Sequence, residues 1–335
     1  MKSGITCVSV LTRENMLNNK TILITGGTGS FGKNFAKFLL DNFNPKKLII
    51  FSRDELKQFQ MEKELADERL RFFIGDVRDL PRLRRAFHGV DIIIHAAALK
   101  QVPILEYNPF EAIKTNVLGS QNVIEAAIDQ KVEKVILVST DKAAHPANLY
   151  GSSKLCAEKL FVGGNSYAGG ATKFSCVRYG NVLGSRGSII DILRQRAPGS
   201  RIQITDERMT RFWITLKQAF DLVLFALRNM EGGEIFIPKI PSMKLIDLFE
   251  AIAPEAEKEI IGIRPGEKIH ETLLTEQEAE HSWELGNYFV VVSEFLNAER
   301  YKKYFDLAKK LQPGFKFTSD TNSNWLSNDD LKHIL

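Results

Sequence analysis

Cysteine is scarce in this chain: three in 335 residues (Cys7, Cys156 and Cys176), with no CxxC pair and no cluster with histidine. That spacing points away from a disulfide framework and from a zinc site, and toward free thiols in a reducing compartment. Cys156, two residues past Lys154, reads as a small packed side chain. Long apolar runs are also missing. No stretch reaches the ~20 residues of a membrane-spanning helix. The patch from Cys7 to Leu11 lacks the long apolar region and small-residue cleavage site of a secretory signal. Residues 1–15 read as a loose extension ahead of Met16, a candidate natural start. Neither sign of charge forms a block: 45 Lys and Arg are interspersed with 41 Asp and Glu, for a formal net charge of +4. Such a mixed surface offers no basic track for nucleic acid. There is no internal repeat and no low-complexity tract. A soluble, cytoplasmic protein is expected, with no metal, no nucleic-acid partner and no membrane insertion.

What the chain does have is a hydrophobic content of 44%, enough for a sizeable core. In its first half, short apolar runs alternate with helical patterns. The periodicity predicts strands over 21–25, 47–51, 71–74, 91–95, 134–139 and 174–178, and helices over 31–42, 80–87, 109–129 and 150–161. This is the pattern of an α/β fold, a Rossmann-type doubly wound parallel sheet covered on both faces. After Arg178 the alternation decays into Pro- and Gly-bearing loops such as Ala197-Pro198-Gly199. The expected division is a dinucleotide-binding domain over 16–180, to which a segment near 213–240 returns. A smaller C-terminal substrate-binding lobe takes 181–212 and 241–335.

Thr25-Gly26-Gly27-Thr28-Gly29-Ser30-Phe31-Gly32 follows the first predicted strand and opens the first predicted helix. Glycines at 26, 29 and 32 permit a tight turn, close approach to a pyrophosphate and close helix–sheet packing, and the helix N-terminus offers free N–H groups. The second strand ends in Phe51-Ser52-Arg53-Asp54. An acidic residue at that tip would take the ribose hydroxyls of NAD, whereas Ser52 with Arg53 suits a 2′-phosphate and favours NADP. Two alternatives stand: Asp54 as the cap of the next helix, and Arg53 as a surface ion-pair partner. Gly75-Asp76-Val77 matches an adenine-edge contact, and His95-Ala96-Ala97-Ala98 would let the chain pass close to the cofactor. For both segments, tight packing without a ligand is the alternative.

The densest chemistry lies in Ser139-Thr140-Asp141-Lys142 and Tyr150-Gly151-Ser152-Ser153-Lys154. Tyr150 and Lys154 share one helix face, so the ammonium can pull the phenol pKa down from about 10 toward a usable base. The alternatives are an ordinary helical pair for Tyr150 and Lys154 and a surface ion pair for Asp141 and Lys142.

With these residues in place, the chain resembles the extended short-chain dehydrogenase/reductases. More narrowly, it resembles the inverting UDP-N-acetylglucosamine 4,6-dehydratases, the first enzymes of pseudaminic acid biosynthesis. The motifs carrying this are the glycine turn, Ser52-Arg53-Asp54-Glu55-Leu56-Lys57-Gln58, the two catalytic segments and Arg178-Tyr179-Gly180-Asn181-Val182. Further motifs run over 205–213, 235–243 and Arg264-Pro265-Gly266-Glu267-Lys268. Two departures bear on the edge of the substrate site: Gln101 replaces the His usual after Lys100, and the loop between Ser188 and Thr205 is short.

The resemblance implies tightly bound NADP, regenerated each turnover, and contacts to it from Gly26, Thr28, Gly29, Ser30, Phe31 and Gly32. It implies further contacts from Ser52, Arg53, Asp54, Glu55, Leu56, Lys57, Gln58, Asp76, Val77, Ala97, Ser139, Thr140, Tyr150, Lys154 and Val182. The implied reaction is transient oxidation at C4, loss of water across C5–C6, hydride return to C6 and inversion at C5. Tyr150, assisted by Lys154, would take the C4 hydroxyl proton, and Thr140 would hold the C4 oxygen. Asp141 would be the acid for water loss. Lys142, standing where retaining relatives carry Glu, would be the C5 base and the reprotonating group. Such a base needs a pKa depressed from about 10.4 by burial or by a nearby cation such as Lys100, Lys154 or a second-lobe Arg. The UDP-sugar would meet Lys100, Asn181, Thr205, Arg208, Met209, Arg211, Arg264 and Glu267, each with a structural hydrogen bond or ion pair as its alternative. The family forms homo-oligomers. Two rival functions remain, a UDP-N-acetylglucosamine 4-epimerase and a catalytically idle NADP-binding regulator.

Overall fold

A computed structural model describes residues 16–184, 189–194 and 201–334. The extension at 1–15 and residues 195–200 of the loop noted as short lie outside the described residues. Six parallel strands form the first half of the sheet: β1 (Thr21–Thr25), β2 (Lys47–Ser52), β3 (Leu70–Ile74), β4 (Ile92–His95), β5 (Lys134–Val138) and β6 (Lys173–Val177). Their spatial order is β3-β2-β1-β4-β5-β6. Every residue of β1 and β4 is buried, which accounts for the unbroken apolar runs that marked them in the sequence. Beyond β6 the sheet continues with Ile235–Pro238, parallel to β6, and then with antiparallel Tyr288–Val291, Ser282–Leu285 and Lys309–Lys310. The fold is therefore the expected doubly wound α/β sheet, extended at one edge by antiparallel strands.

Most predicted strands and helices recur with ends displaced by one to three residues. The helix expected over 109–129 differs. It runs as Pro109–Ala112, a π-helical turn at Ile113–Leu118 and a regular helix at Gly119–Asp129. The wide turn faces Asn116 inward, where its side chain accepts from the Leu99 N–H and donates to the Leu99 carbonyl and the Ser153 hydroxyl. It thereby ties the strand-end loop after β4 to the Leu149–Gly164 helix. Of the helices that the periodicity did not predict, the two longest are Glu55–Leu65 and Leu216–Asn229. Glu55–Leu65 buries only Gln58 and Met61, so its apolar stripe is thin. Leu216–Asn229 carries a full capping box, Thr215 with Gln218, that marks its start in the sequence.

The main core fills both faces of the sheet, and a smaller one gathers Leu183, Ile190, Trp213, Met243, Leu248 and Leu331. Among the described residues, no helix is long and apolar enough to cross a membrane.

Candidate active site

Two adjoining cavities, of ≈ 390 Å³ and ≈ 530 Å³, open at the carboxyl ends of the parallel strands and share Gly26, Gly29, Ala96 and Ala98. The glycine turn makes room for them. Gly26 has φ +65°, and a Cβ there would lie 2.8 Å from the Ala97 Cα; one at Gly32 would lie 2.6 Å from the Gly27 Cα. The Ser30–Asn42 helix starts at this turn with no side-chain cap, so its first N–H groups face the crevice.

The larger cavity is lined by Thr28, Ser52, Arg53, Asp54, Lys57, Asp76, Val77 and Ala97. Asp54 caps the following helix, accepting from the Lys57 N–H at 3.0 Å and pairing with the Lys57 amine at 2.8 Å. Asp76 is held by Arg78 at 2.7 Å and by Arg53 at 3.4 Å, so its carboxylate is shared among cations. Three residues expected at the cofactor line neither cavity. Glu55 and Leu56 lie on the exposed first turn of their helix. Gln58 is buried and donates to the Ser52 carbonyl and hydroxyl and to the Phe73 carbonyl, so it ties β2 to β3 instead of reaching a ligand.

The smaller cavity collects Ser30, Phe31, Ser139, Thr140, Asp141, Lys142, Tyr150, Lys154, Asn181 and Val182, with Lys100 at its rim. Backbone bonds from Ser139 to Val177 and from Asp141 to Tyr179 zip the end of β5 to the end of β6 and the segment after it, and fix the turn that carries Thr140, Asp141 and Lys142. The Ser139 hydroxyl donates to buried Glu158 at 2.5 Å. Glu158 in turn pairs with fully buried Arg178, which also holds Glu278. The Lys142 amine lies 3.1 Å from Asp141 Oδ1 and 3.2 Å from Glu271 Oε1.

The charge states differ from those expected. Burial works to lower the Lys142 pKa, but Asp141 and Glu271 outweigh it, and the net shift is upward. The depressed, neutral amine required of a C5 base is thus not what this site builds. The local charges favour an ammonium. Burial raises the pKa of Asp141, opposed by Lys142 and helped by Glu271, with a net rise. Tyr150 is pushed up to about 12 by burial, and the cation opposing this is Lys142, not Lys154. Lys154 donates to the Val138 carbonyl at 2.9 Å, and burial lowers its pKa to about 8. The expected direct pull of Lys154 on the phenol is therefore replaced by that of Lys142.

Of the residues expected at the UDP-sugar, Asn181 and Lys100 line the cavity, whereas Thr205, Arg208, Met209, Arg211, Arg264 and Glu267 do not. Arg208 is exposed and pairs with Asp206 at 2.7 Å. Met209 is buried, with its sulfur against Arg211. Arg211 is itself buried, donating to the carbonyls of Thr210, Ile269 and Lys268, and its Nε lies 3.7 Å from Glu271. Its donors are spent inside the protein, in place of the UDP-sugar contact that the resemblance implies. Arg264 is exposed on the turn before Gly266, and the Glu267 Oε2 is buried without a hydrogen-bond partner. Among the described residues, no His, Cys, Asp and Glu group could hold a metal ion.

A family described as polysaccharide biosynthesis protein matches residues 22–293. The chain belongs to this family, a branch of the extended short-chain dehydrogenase/reductases. It is 49% identical over 328 residues to a UDP-N-acetylglucosamine 4,6-dehydratase (inverting) of Campylobacter jejuni, covering 96% of this chain and 98% of that one. A UDP-glucose 4-epimerase of Rickettsia felis is 41% identical over 96% of each chain. The X-ray structure of Pen from Bacillus thuringiensis superposes with a TM-score of 0.87 at 39% identity, over 95% of this chain and 97% of that one.

The family motif ending at Lys268 stops short of the residue that the site adds. Glu271 is 2% exposed and touches Lys142, Arg211 and Lys268, yet it escaped the sequence reading. Its only signal was its place just past that motif, because its partners come from three separate parts of the chain.

Proposed function

We propose that the protein is an inverting UDP-N-acetylglucosamine 4,6-dehydratase, giving UDP-2-acetamido-2,6-dideoxy-β-L-arabino-hex-4-ulose. The observation that carries this is the Asp141–Lys142 pair, 3.1 Å apart, on the wall of the cavity that Tyr150 and Lys154 also line. The name of the Campylobacter relative supports it.

The glycine cradle fits a dinucleotide, since a Cβ at Gly26 or Gly32 would collide with neighbouring backbone. Gly26, Gly29 and Ser30 would hold the pyrophosphate, and Ser52 with Arg53 the 2′-phosphate of NADP. When bound, NADP supplies hydride acceptance at C4 and hydride return at C6, and its ring charge favours tyrosinate.

The chain's own residues handle the protons. Thr140 orients the C4 oxygen, and Tyr150 receives the C4 hydroxyl proton. Asp141, as carboxylate, takes the C5 proton made acidic by the 4-ketone and passes it to the departing C6 oxygen, which leaves as water. Its raised pKa suits a group that must also act as an acid. The Lys142 ammonium then protonates C5 from the opposite face, which inverts that centre. The amine recovers its proton from Tyr150, and the inventory closes without net change.

An epimerase would use the same tyrosine, as the Rickettsia relative's name keeps in view. Mass spectrometry after incubation with UDP-N-acetylglucosamine separates the two. Loss of one water supports the dehydratase, whereas an unchanged mass with the C4 epimer resolved by NMR identifies the epimerase. A homo-oligomer belongs to the same proposal, supported by exposed Ile104, Tyr107, Phe110 and Leu118 on consecutive helical segments. Sedimentation as a monomer would rule it out.

A further inference from the structure

Lys142 does not stand alone at the catalytic turn. Its amine sits between two carboxylates, Asp141 on its own turn and Glu271 from the C-terminal lobe, at 3.1 Å and 3.2 Å. The Glu271 carboxylate is buried and meets two further cations, Arg211 at 3.7 Å and Lys268 at 3.7 Å. Its backbone is fastened as well: its N–H donates to the Ser319 hydroxyl at 2.9 Å, and its carbonyl accepts from the Ser319 N–H at 2.9 Å. Arg211 clamps the carbonyls of Lys268 and Ile269 just before it. Lys268 reaches back to the Ala144 carbonyl at 2.8 Å, beside the catalytic turn. Glu271 is thus a rigidly mounted anion aimed at one flexible cation.

We propose that Glu271 is the positioning residue of the proton donor: its carboxylate keeps Lys142 in the ammonium form and aims the amine into the cavity. This rests on the dehydratase function proposed above and assigns a role outside the expected catalytic set. Without Glu271, the amine would face burial, Arg211, Lys268 and the phenol of Tyr150 with only Asp141 to favour its charge. Asp141 is a poor substitute, because its own charge changes during turnover. A fixed second carboxylate keeps the ammonium stable while Asp141 carries the C5 proton to the C6 oxygen. The step that follows transfers one proton from the Lys142 nitrogen to C5. The nitrogen keeps the N–H bonding pair, and the enolate electrons form the new C–H bond.

The test compares wild type, Glu271→Gln and Glu271→Asp in the kcat profile against pH, with UDP-N-acetylglucosamine as substrate. Removing the charge while keeping the shape should lower kcat about 10-fold or more with little change in KM. It should move the basic limb of the profile down by about one pH unit or more, since an adjacent opposite charge shifts a pKa by about that much. Glu271→Asp, which keeps the charge but retracts it, should fall between the two. A Glu271→Gln profile superimposable on that of wild type would overturn the proposal. If that variant does not fold, Glu271→Asp decides: its basic limb must lie below the wild-type one, and coincidence of the two overturns the proposal. Wild type is the control for the function itself. If wild type forms no dehydrated product, the dehydratase reading fails, not the role given to Glu271 within it.

Discussion

Gly151 packs directly on Lys142: a Cβ at position 151 would lie 2.2 Å from the Lys142 carbonyl oxygen. The start of the helix that carries Tyr150 and Lys154 is thereby pressed onto the turn that carries Thr140 and Asp141. Asn148 caps that helix through the Gly151 N–H at 2.8 Å and also donates to the Gly266 carbonyl at 2.8 Å, so the turn at Gly266 is fastened at the same point. Gly151→Ala should force the two segments apart. A displacement of ~1 Å at reacting groups can cost ~100-fold, so kcat should fall about that much while NADP binding is retained. Wild-type turnover by Gly151→Ala would show that the contact is not needed for alignment.

Arg53 lines the larger cavity and reaches Asp76 only at 3.4 Å, which leaves it available to a 2′-phosphate. Arg53→Ala should weaken NADP by about 10-fold or more, the loss of one charge-assisted hydrogen bond, and leave NAD nearly unchanged. Calorimetric titration with both cofactors checks this. An equal loss for the two would return Arg53 to the role of a surface ion-pair partner.

Arg211 is the point at which sequence and structure part. The family resemblance implies that Arg211 meets the UDP-sugar. The structure spends the guanidinium on three carbonyls and Glu271. Arg211→Ala should therefore destabilise the fold by about 3 kcal/mol, the cost of stripping a buried anion of a partner. Urea denaturation measures this. Unchanged stability with a raised KM would restore the substrate role.

The parallel strands were legible because strands buried on both faces read as short runs rich in Ile, Leu, Val and Thr, as in β1. The glycine turn and the Tyr150–Lys154 spacing were legible because each is local. The charge of Lys142 was not, because Glu271 reaches it only through tertiary folding. The same holds for Gln58, whose polar side chain looks like a ligand contact until β3 closes over it. The π-helical turn at Ile113–Leu118 escaped because hydrophobic periodicity does not resolve one added residue per turn.

His95 supplies a pH prediction for the fold itself. It is buried, bonded to the Thr25 hydroxyl at 2.7 Å, and its pKa is lowered from 6.5 to about 3, by burial first and by Lys154 second. The unfolded chain therefore binds the extra proton and the folded chain does not. This group's contribution is fully present above pH 6.5 and is lost as pH falls toward about 3, at up to ~1.4 kcal/mol per pH unit. Urea midpoints at pH 7, 6 and 5 should fall less steeply for His95→Gln than for wild type. Parallel slopes would contradict a neutral buried imidazole.

The central claim is that Lys142 protonates C5 from the face opposite the one deprotonated. Its most direct test is to run the reaction with UDP-N-acetylglucosamine in D₂O and determine the product by NMR. The proposal predicts a 4-keto-6-deoxy sugar carrying deuterium at C5 in the inverted, L-arabino configuration. A dehydrated product that keeps its original C5 configuration would contradict it.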